Sequence, residues 1–177
     1  MSDLLNEGVA IFLRRADRIN LHEAAIAEVT ASYSELFSQG GISISPDLIN
    51  TAAEATEGYP FLIQLVGCYL WLEAGKADWK LDLNHVQRGI AAAQRRNTLV
   101  VVEPALSDIS DRDREFLDAM AAQDGPSAAG QIGAILKAKA NVISKYRNRL
   151  IAAGQIESAS YGKVDFAIPG LRQYLRE

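Results

Sequence analysis

The sequence predicts a mainly α protein, a helical bundle followed by a winged helix-turn-helix with a small β-hairpin, and three observations predict it. Proline and glycine cut the N-terminal part into helix-length pieces with apolar periodicity. The C-terminal part reads as three helices followed by two alternating segments that meet at Tyr161-Gly162. Between them, Asn97 to Ser110 holds Pro104 and no helical period. Residues 1–98 are therefore expected to form the bundle, 99–109 a linker and 110–177 the winged unit.

The first expected helix runs from Ser2 to Arg15, with Leu4, Leu5, Val9, Phe12 and Leu13 at roughly helical spacing, and Arg18–Leu21 follows as an extended link. The second spans about Glu23 to Phe37 and stops at Gly40-Gly41. Ser45-Pro46-Asp47 starts a third, because proline at the first helical position gives up no needed hydrogen bond and serine can cap the free amides. That helix stops at Gly58, and Pro60 opens the next almost at once. Phe61, Leu62, Leu65, Val66, Tyr69, Leu70 and Leu72 lie nearly all round it, which places it at the centre of a bundle. Leu81 to Arg96 has Leu83, Val86, Ile90 and Ala93 inward and Arg88, Arg95 and Arg96 outward.

In the C-terminal part, Asp111 to Ala122 puts Phe116, Leu117 and Met120 on one face. Gly125-Pro126-Ser127 breaks that helix and Ser127 starts the next, which runs to Lys137. Ala140 to Ala153 ends at Gly154, as a left-handed cap requires. Gln155–Ala159 and Lys163–Ile168 form the hairpin, and Pro169–Arg176 is a closing helix with Leu171, Tyr174 and Leu175 apolar.

Composition narrows the function. The 177 residues are 49% apolar and 23% charged, with no run of ~18 apolar residues to span a bilayer, so no membrane partner is expected. No basic segment, apolar stretch and small-residue cleavage site opens the chain, and the cytoplasm is the expected place of work. The net charge of −4 is unevenly distributed: residues 1–109 carry 8 Lys/Arg against 14 Asp/Glu, residues 110–177 carry 10 against 8. A single cysteine, Cys68, with only His22 and His85 beside it, supplies neither an internal disulfide nor a Cys/His zinc site. Cys68 sits on the most apolar helix and reads as a buried, inert thiol. Trp71 and Trp79 read as core and surface cover. His22-Glu23-Ala-Ala-Ile26 begins like a zinc-protease motif, but its fifth position is isoleucine. His85 has no Ser or Cys partner for a triad.

The helix from Ala140 carries the clearest surface signal. At 100° per residue, Ile143, Tyr146 and Leu150 fall on one side. Opposite lie Asn141, Lys145 and Asn148, flanked by Ser144 and Arg149, and no acidic residue interrupts Asn141 to Gly154. Arg147 sits nearer the core edge. Lys and Arg suit phosphates or guanine edges and Asn suits adenine. Lys137, Lys139 and the hairpin residue Lys163 extend the positive surface, with Tyr161 at the hairpin tip. The same face would equally serve as a solvated or protein-docking surface, because fold does not fix function.

The run Ala53-Glu-Ala-Thr-Glu-Gly-Tyr-Pro-Phe-Leu-Ile-Gln-Leu-Val-Gly67, followed by Tyr69-Leu70-Trp71, resembles the helical lid of bacterial and archaeal P-loop ATPases of the AAA+/STAND type. Phe12–Leu21 with Glu28 resembles the entry from the ATPase core into that lid. Asp111–Leu117, Tyr146–Ile156 and Val164–Leu175 resemble the winged-helix tail that follows such lids. The resemblance implies that Gly58, Tyr59 and Pro60 lie against a bound nucleotide, and that Arg14 and Arg15 face phosphate or a neighbouring subunit unless they are merely a solvated helix end. It departs from the family in one large respect: no G-x-x-x-x-G-K-[ST] phosphate cradle occurs, Gly130–Lys137 has the wrong spacing, and Leu99–Glu103 reads as linker or edge strand rather than a metal-holding strand.

The expectation is a non-catalytic lid and winged-helix portion of a larger ATPase. It needs no cofactor of its own, ATP and Mg belonging to the parent's core. Its partners are duplex DNA and the ATPase core or other protein subunits. The DNA-facing residues are Lys139, Asn141, Ser144, Lys145, Asn148, Arg149, Tyr161 and Lys163. Two other readings stay open: a protein-interaction module that never touches DNA, and a regulator sensing a small ligand in a pocket around Tyr69 and Trp71.

Overall fold

The computed structural model describes residues 23–107 and 109–177. The expected first helix, the link at 18–21, Arg14, Arg15 and His22 lie outside the described residues.

Helix α1 (Ile26–Gln39) buries Val29, Tyr33 and Phe37, one residue per turn, and stops at Gly40. A Cβ on Gly40 would fall 2.3 Å from Trp71 Cη2, so the space a side chain would take there is filled by the indole ring. Helix α2 (Pro46–Glu54) starts as expected, with Ser45 Oγ accepting from the Leu48 amide and Pro46 in the first turn. Helix α3 (Pro60–Lys76) and helix α4 (Leu83–Asn97) form the most extensive helix pair. Gly89 makes their approach possible, since a Cβ there would sit 2.8 Å from Leu70 Cδ2. Helix α4 opens on Asp82, whose Oδ1 accepts from the His85 amide at 2.9 Å.

These helices close around one core that includes Val29, Phe37, Ile49, Val66, Leu70 and Val86. Helix α3 is not its all-round centre. Leu62, Val66, Leu70 and Ala74 are buried, but Phe61, Gln64, Cys68 and Leu72 form an exposed stripe. Cys68 is therefore exposed rather than buried. A helix apolar on every side gives no period from which to read its inner face. Trp71 and Trp79 pack edge to face with centroids 5.8 Å apart, and both remain partly exposed, as cover over the core.

In the stretch 99–109, read as a linker or an edge strand, residues 99–107 are helical rather than a strand. Thr98–Val102 continues α4 as a π-helical turn and Glu103–Ser107 forms α5. The Glu103 amide donates to Thr98 O, five residues back. Pro104 has no amide to continue the ordinary ladder, and it sits in the first turn of α5, where none is needed. Val102 is fully buried in the second core, with Leu106 and Ile109 packed on it.

Helix α6 (Asp111–Ala121) is capped by Ser110 Oγ on the Asp113 amide. Strand β1 (Ser127–Ala128) comes next, where a helix start was expected, and helix α7 (Ala129–Leu136) and helix α8 (Ala140–Ala152) follow it. Strands β2 (Ile156–Ser160) and β3 (Lys163–Phe166) form the expected hairpin, with a bulge between Ser158 and Ser160. β1 adds to it antiparallel, Ser127 opposite Val164, giving a three-stranded sheet in the order β1-β3-β2. The period of a two-residue strand cannot be read from sequence. Helix α9 (Leu171–Arg176) closes the chain. Phe116, Met120, Ile132, Ile143, Leu150, Val164 and Leu171 share the second core.

Two arginines of α9 hold this unit shut. Arg172 donates to Met120 O, Gln123 O and Gly125 O and pairs with Asp165 at 2.5 Å, its guanidinium lying over the Phe166 ring. Arg176 donates to Ala121 O at 2.6 Å and Gln123 O at 2.9 Å. Cations thus meet carbonyls at and just beyond the negative end of α6. Among the described residues no helix is long and apolar enough to cross a membrane.

Candidate functional site

The outward face of α8 is as the sequence places it. Asn141, Ser144, Lys145 and Asn148 are exposed, and Lys139 is exposed at the helix entrance. Ile143 and Leu150 fix this orientation by burying the opposite side. Tyr161 stands fully exposed at the hairpin turn, where Gly162 takes the left-handed φ of 72° that the turn requires, and Lys163 is exposed beside it.

Arg149 is exposed as well but is also tied to a neighbouring helix. Its guanidinium donates to Asp113 Oδ1 at 2.5 and 3.0 Å and to Ser110 Oγ at 3.2 Å, and it stacks on Tyr146. It ties the end of α8 to the start of α6, with the carboxylate of Asp113 almost wholly buried. Arg147 is half-buried at the core edge, where the sequence sets it; it lines a groove of about 990 Å³ between α7, α8 and the hairpin, and donates to Ser158 Oγ at 2.8 Å. The groove is lined mainly by small residues, including Gly130, Gly133, Ala134 and Ala138, with Lys137, Ser144, Arg147, Ser160 and Tyr161 also at its walls. Helical projection of α8 alone missed it because the far wall comes from β2 and the hairpin turn.

The corner between α2 and α3 is tight. Gly58 has φ of 77°, and a Cβ there would meet Ala24 O at 2.4 Å; Ala24 N donates to Gly58 O at 2.9 Å. The chain entering α1 thus covers Gly58. Tyr59 Oη donates to Ala167 O at 3.2 Å, across to the loop between β3 and α9. Burial holds the Tyr59 hydroxyl well above the usual tyrosine range, with the carboxylates of Glu23, Glu157 and Glu57 acting in the same direction. Burial also raises the Glu57 carboxyl. Pro60 is half-buried and Phe61 exposed, so the open side of this corner is Pro60-Phe61. Nearby, buried Asn97 donates to Pro169 O at 2.9 Å, while its Oδ1 has no partner. Beside the continuous run of α4 into the π-helical turn, two side-chain hydrogen bonds, from the Tyr59 hydroxyl and the Asn97 amide, cross this junction to the loop between β3 and α9.

Among the described residues no group of three His, Cys, Asp or Glu is placed to hold a metal. His85 Nδ1 lies 2.6 Å from Asp82 Oδ1 as part of the α4 cap.

This arrangement can be set beside known proteins. Residues 100–175 match the family described as a domain of unknown function (DUF8462). No curated protein matches the chain. Among solved structures, the Walker-type ATPase Paby2304 of Pyrococcus abyssi is similar over 88% of this chain and 43% of its own, at 16% identity and a TM-score of 0.67. The Thermotoga maritima RuvB Holliday junction branch migration motor aligns over 88% of this chain and 50% of its own, at 14% identity and a TM-score of 0.40. The chain spans at most half the length of these proteins and shares its fold with part of the Walker-type ATPase.

Proposed function

We propose that this chain is the lid and winged-helix portion of an AAA+/STAND-type ATPase, in which a bundle that senses nucleotide is coupled to a unit that binds duplex DNA. The likeness to a Walker-type ATPase supports the parentage. The observation that carries the coupling is the Tyr59–Ala167 hydrogen bond, which anchors the Gly58-Tyr59-Pro60 corner directly to the loop feeding α9. A ligand moves such a module only through unequal affinity for two arrangements, and a change at the corner would have to break or keep this bond.

In this reading the parent's core supplies the phosphate cradle and magnesium, and this portion does no chemistry alone. Glu23, Glu57 and Glu157 surround Tyr59, so the corner would meet the base or ribose of a nucleotide rather than its phosphates. The exposed stripe of Phe61, Cys68 and Leu72 beside it is the kind of apolar surface that another protein part covers. That stripe also favours the second reading, in which protein is the only partner.

Fluorescence anisotropy with a duplex across a salt series separates the two. If ~4 phosphates are neutralised, log Kd changes with log salt at a slope of magnitude near 3.6, and Lys145→Glu removes the binding. No binding at low salt, or full retention in Lys145→Glu, contradicts the DNA reading.

A further inference from the structure

Arg147 differs from the other arginines of its unit. Arg112, Arg114, Arg149, Arg172 and Arg176 each pair with a carboxylate. Arg147 is half-buried and pairs with none among the described residues; its guanidinium donates to the neutral Ser158 Oγ. We infer that the groove it lines is a binding site for a small organic carboxylate with an apolar body, whose charged end Arg147 holds. The inference concerns the groove alone and is independent of which partner meets the outward face of α8.

A guanidinium drawn partly out of water without a counter-charge is under-compensated, and an anion brought to it gains more than it would in bulk water. The groove is built for such an anion. No Asp or Glu lines it, in a chain that carries −4 overall. Lys137 adds a second cation, and Ser144, Ser158, Ser160 and Tyr161 present hydroxyls that can donate to a carboxylate.

The α7 wall sets the body of the ligand. Ala129, Gly133, Ala134 and Ala138 make it smooth and apolar, and a Cβ on Gly130 would meet nothing within 4 Å. At Gly133 the wall closes on α8, where a Cβ would lie 3.4 Å from Ile143 Cγ1, so the groove has an apolar base. Its volume of about 990 Å³ is in the range that takes a small organic molecule. An inorganic anion would use Arg147 and leave this wall wet; an uncharged hydrocarbon would cover the wall and leave the guanidinium uncompensated. A ligand with both parts uses both. The bond to Ser158 engages Nη2 and steadies the planar fork, and the remaining N–H groups are free to donate to a carboxylate.

Isothermal titration of the full chain with decanoate tests this, with decylammonium and inorganic phosphate as comparisons. Decanoate should bind saturably, and each comparison at least about tenfold more weakly. Arg147→Leu, which keeps bulk and removes the charge, should weaken decanoate by about tenfold or more. Ala134→Trp, at an exposed position of the wall, should block the site. Arg147→Glu should reverse the preference and make decylammonium the tighter ligand, a gain that an unfolded variant cannot give. Leu72→Glu, on the exposed stripe of α3, should leave decanoate affinity unchanged; a loss there places the ligand on the stripe and overturns the inference. Decanoate bound no more tightly than decylammonium or phosphate, or an affinity indifferent to Arg147→Leu and Ala134→Trp, also overturns it. So does the absence of saturable decanoate binding up to about 1 mM.

Discussion

Arg149 and Lys145 differ by one turn of α8 and by everything that surrounds them. Lys145 is exposed, and Lys145→Ala should leave the urea midpoint unchanged. Arg149→Ala strands the nearly buried Asp113 carboxylate without its ion pair, and should cost about 2 kcal/mol of unfolding free energy. A loss of DNA binding in an Arg149 variant is therefore read only after its stability has been measured. Sequence projection puts both residues outward because it sees one helix, and Asp113 is on another. Gly58→Ala is the second residue-scale case: a left-handed φ and the contact with Ala24 O act together, and chemical denaturation should show a loss of about 2–3 kcal/mol.

At the scale of elements, helix starts were legible and inner faces were not always. Ser45-Pro46 and Ser110 cap their helices as the sequence indicates, because capping chemistry is local. Helix α3 has one exposed side that its uniform apolarity conceals, and Cys68 reports on it: in the native chain it should react with a thiol reagent at nearly the rate of the unfolded chain, whereas slow reaction would mean that the stripe is covered. The α3–α4 pair carries an acid-sensitive contact. Hydrogen bonds from Lys76 and Arg88 hold the Glu73 carboxyl below its ordinary value, and the His85 amide does the same for Asp82. A folded value below the unfolded one gives support that is complete above the unfolded pKa of about 4 and is lost as pH falls through the folded value. The urea midpoint should drop between pH 5 and pH 3, and Glu73→Gln should flatten that drop, by no more than about 1 kcal/mol since both cations are largely exposed.

For the whole molecule, the sequence divides the chain at a Pro104-containing stretch, and the structure shows that stretch helical and packed, with Val102 in the second core. The division read from composition did not show how the parts meet, because Tyr59–Ala167 and Asn97–Pro169 join residues far apart in sequence. Tyr59→Phe combined with Asn97→Ala should uncouple the two cores, so that thermal unfolding followed by calorimetry broadens or splits where the unaltered chain shows one transition. Hydrogen exchange measured with and without duplex DNA tests the central claim most directly. New protection is expected at residues 139–149 and 160–163, the outward face of α8 and the hairpin turn. Protection that appears instead along α3, or none at α8 under conditions where the duplex binds, would contradict it.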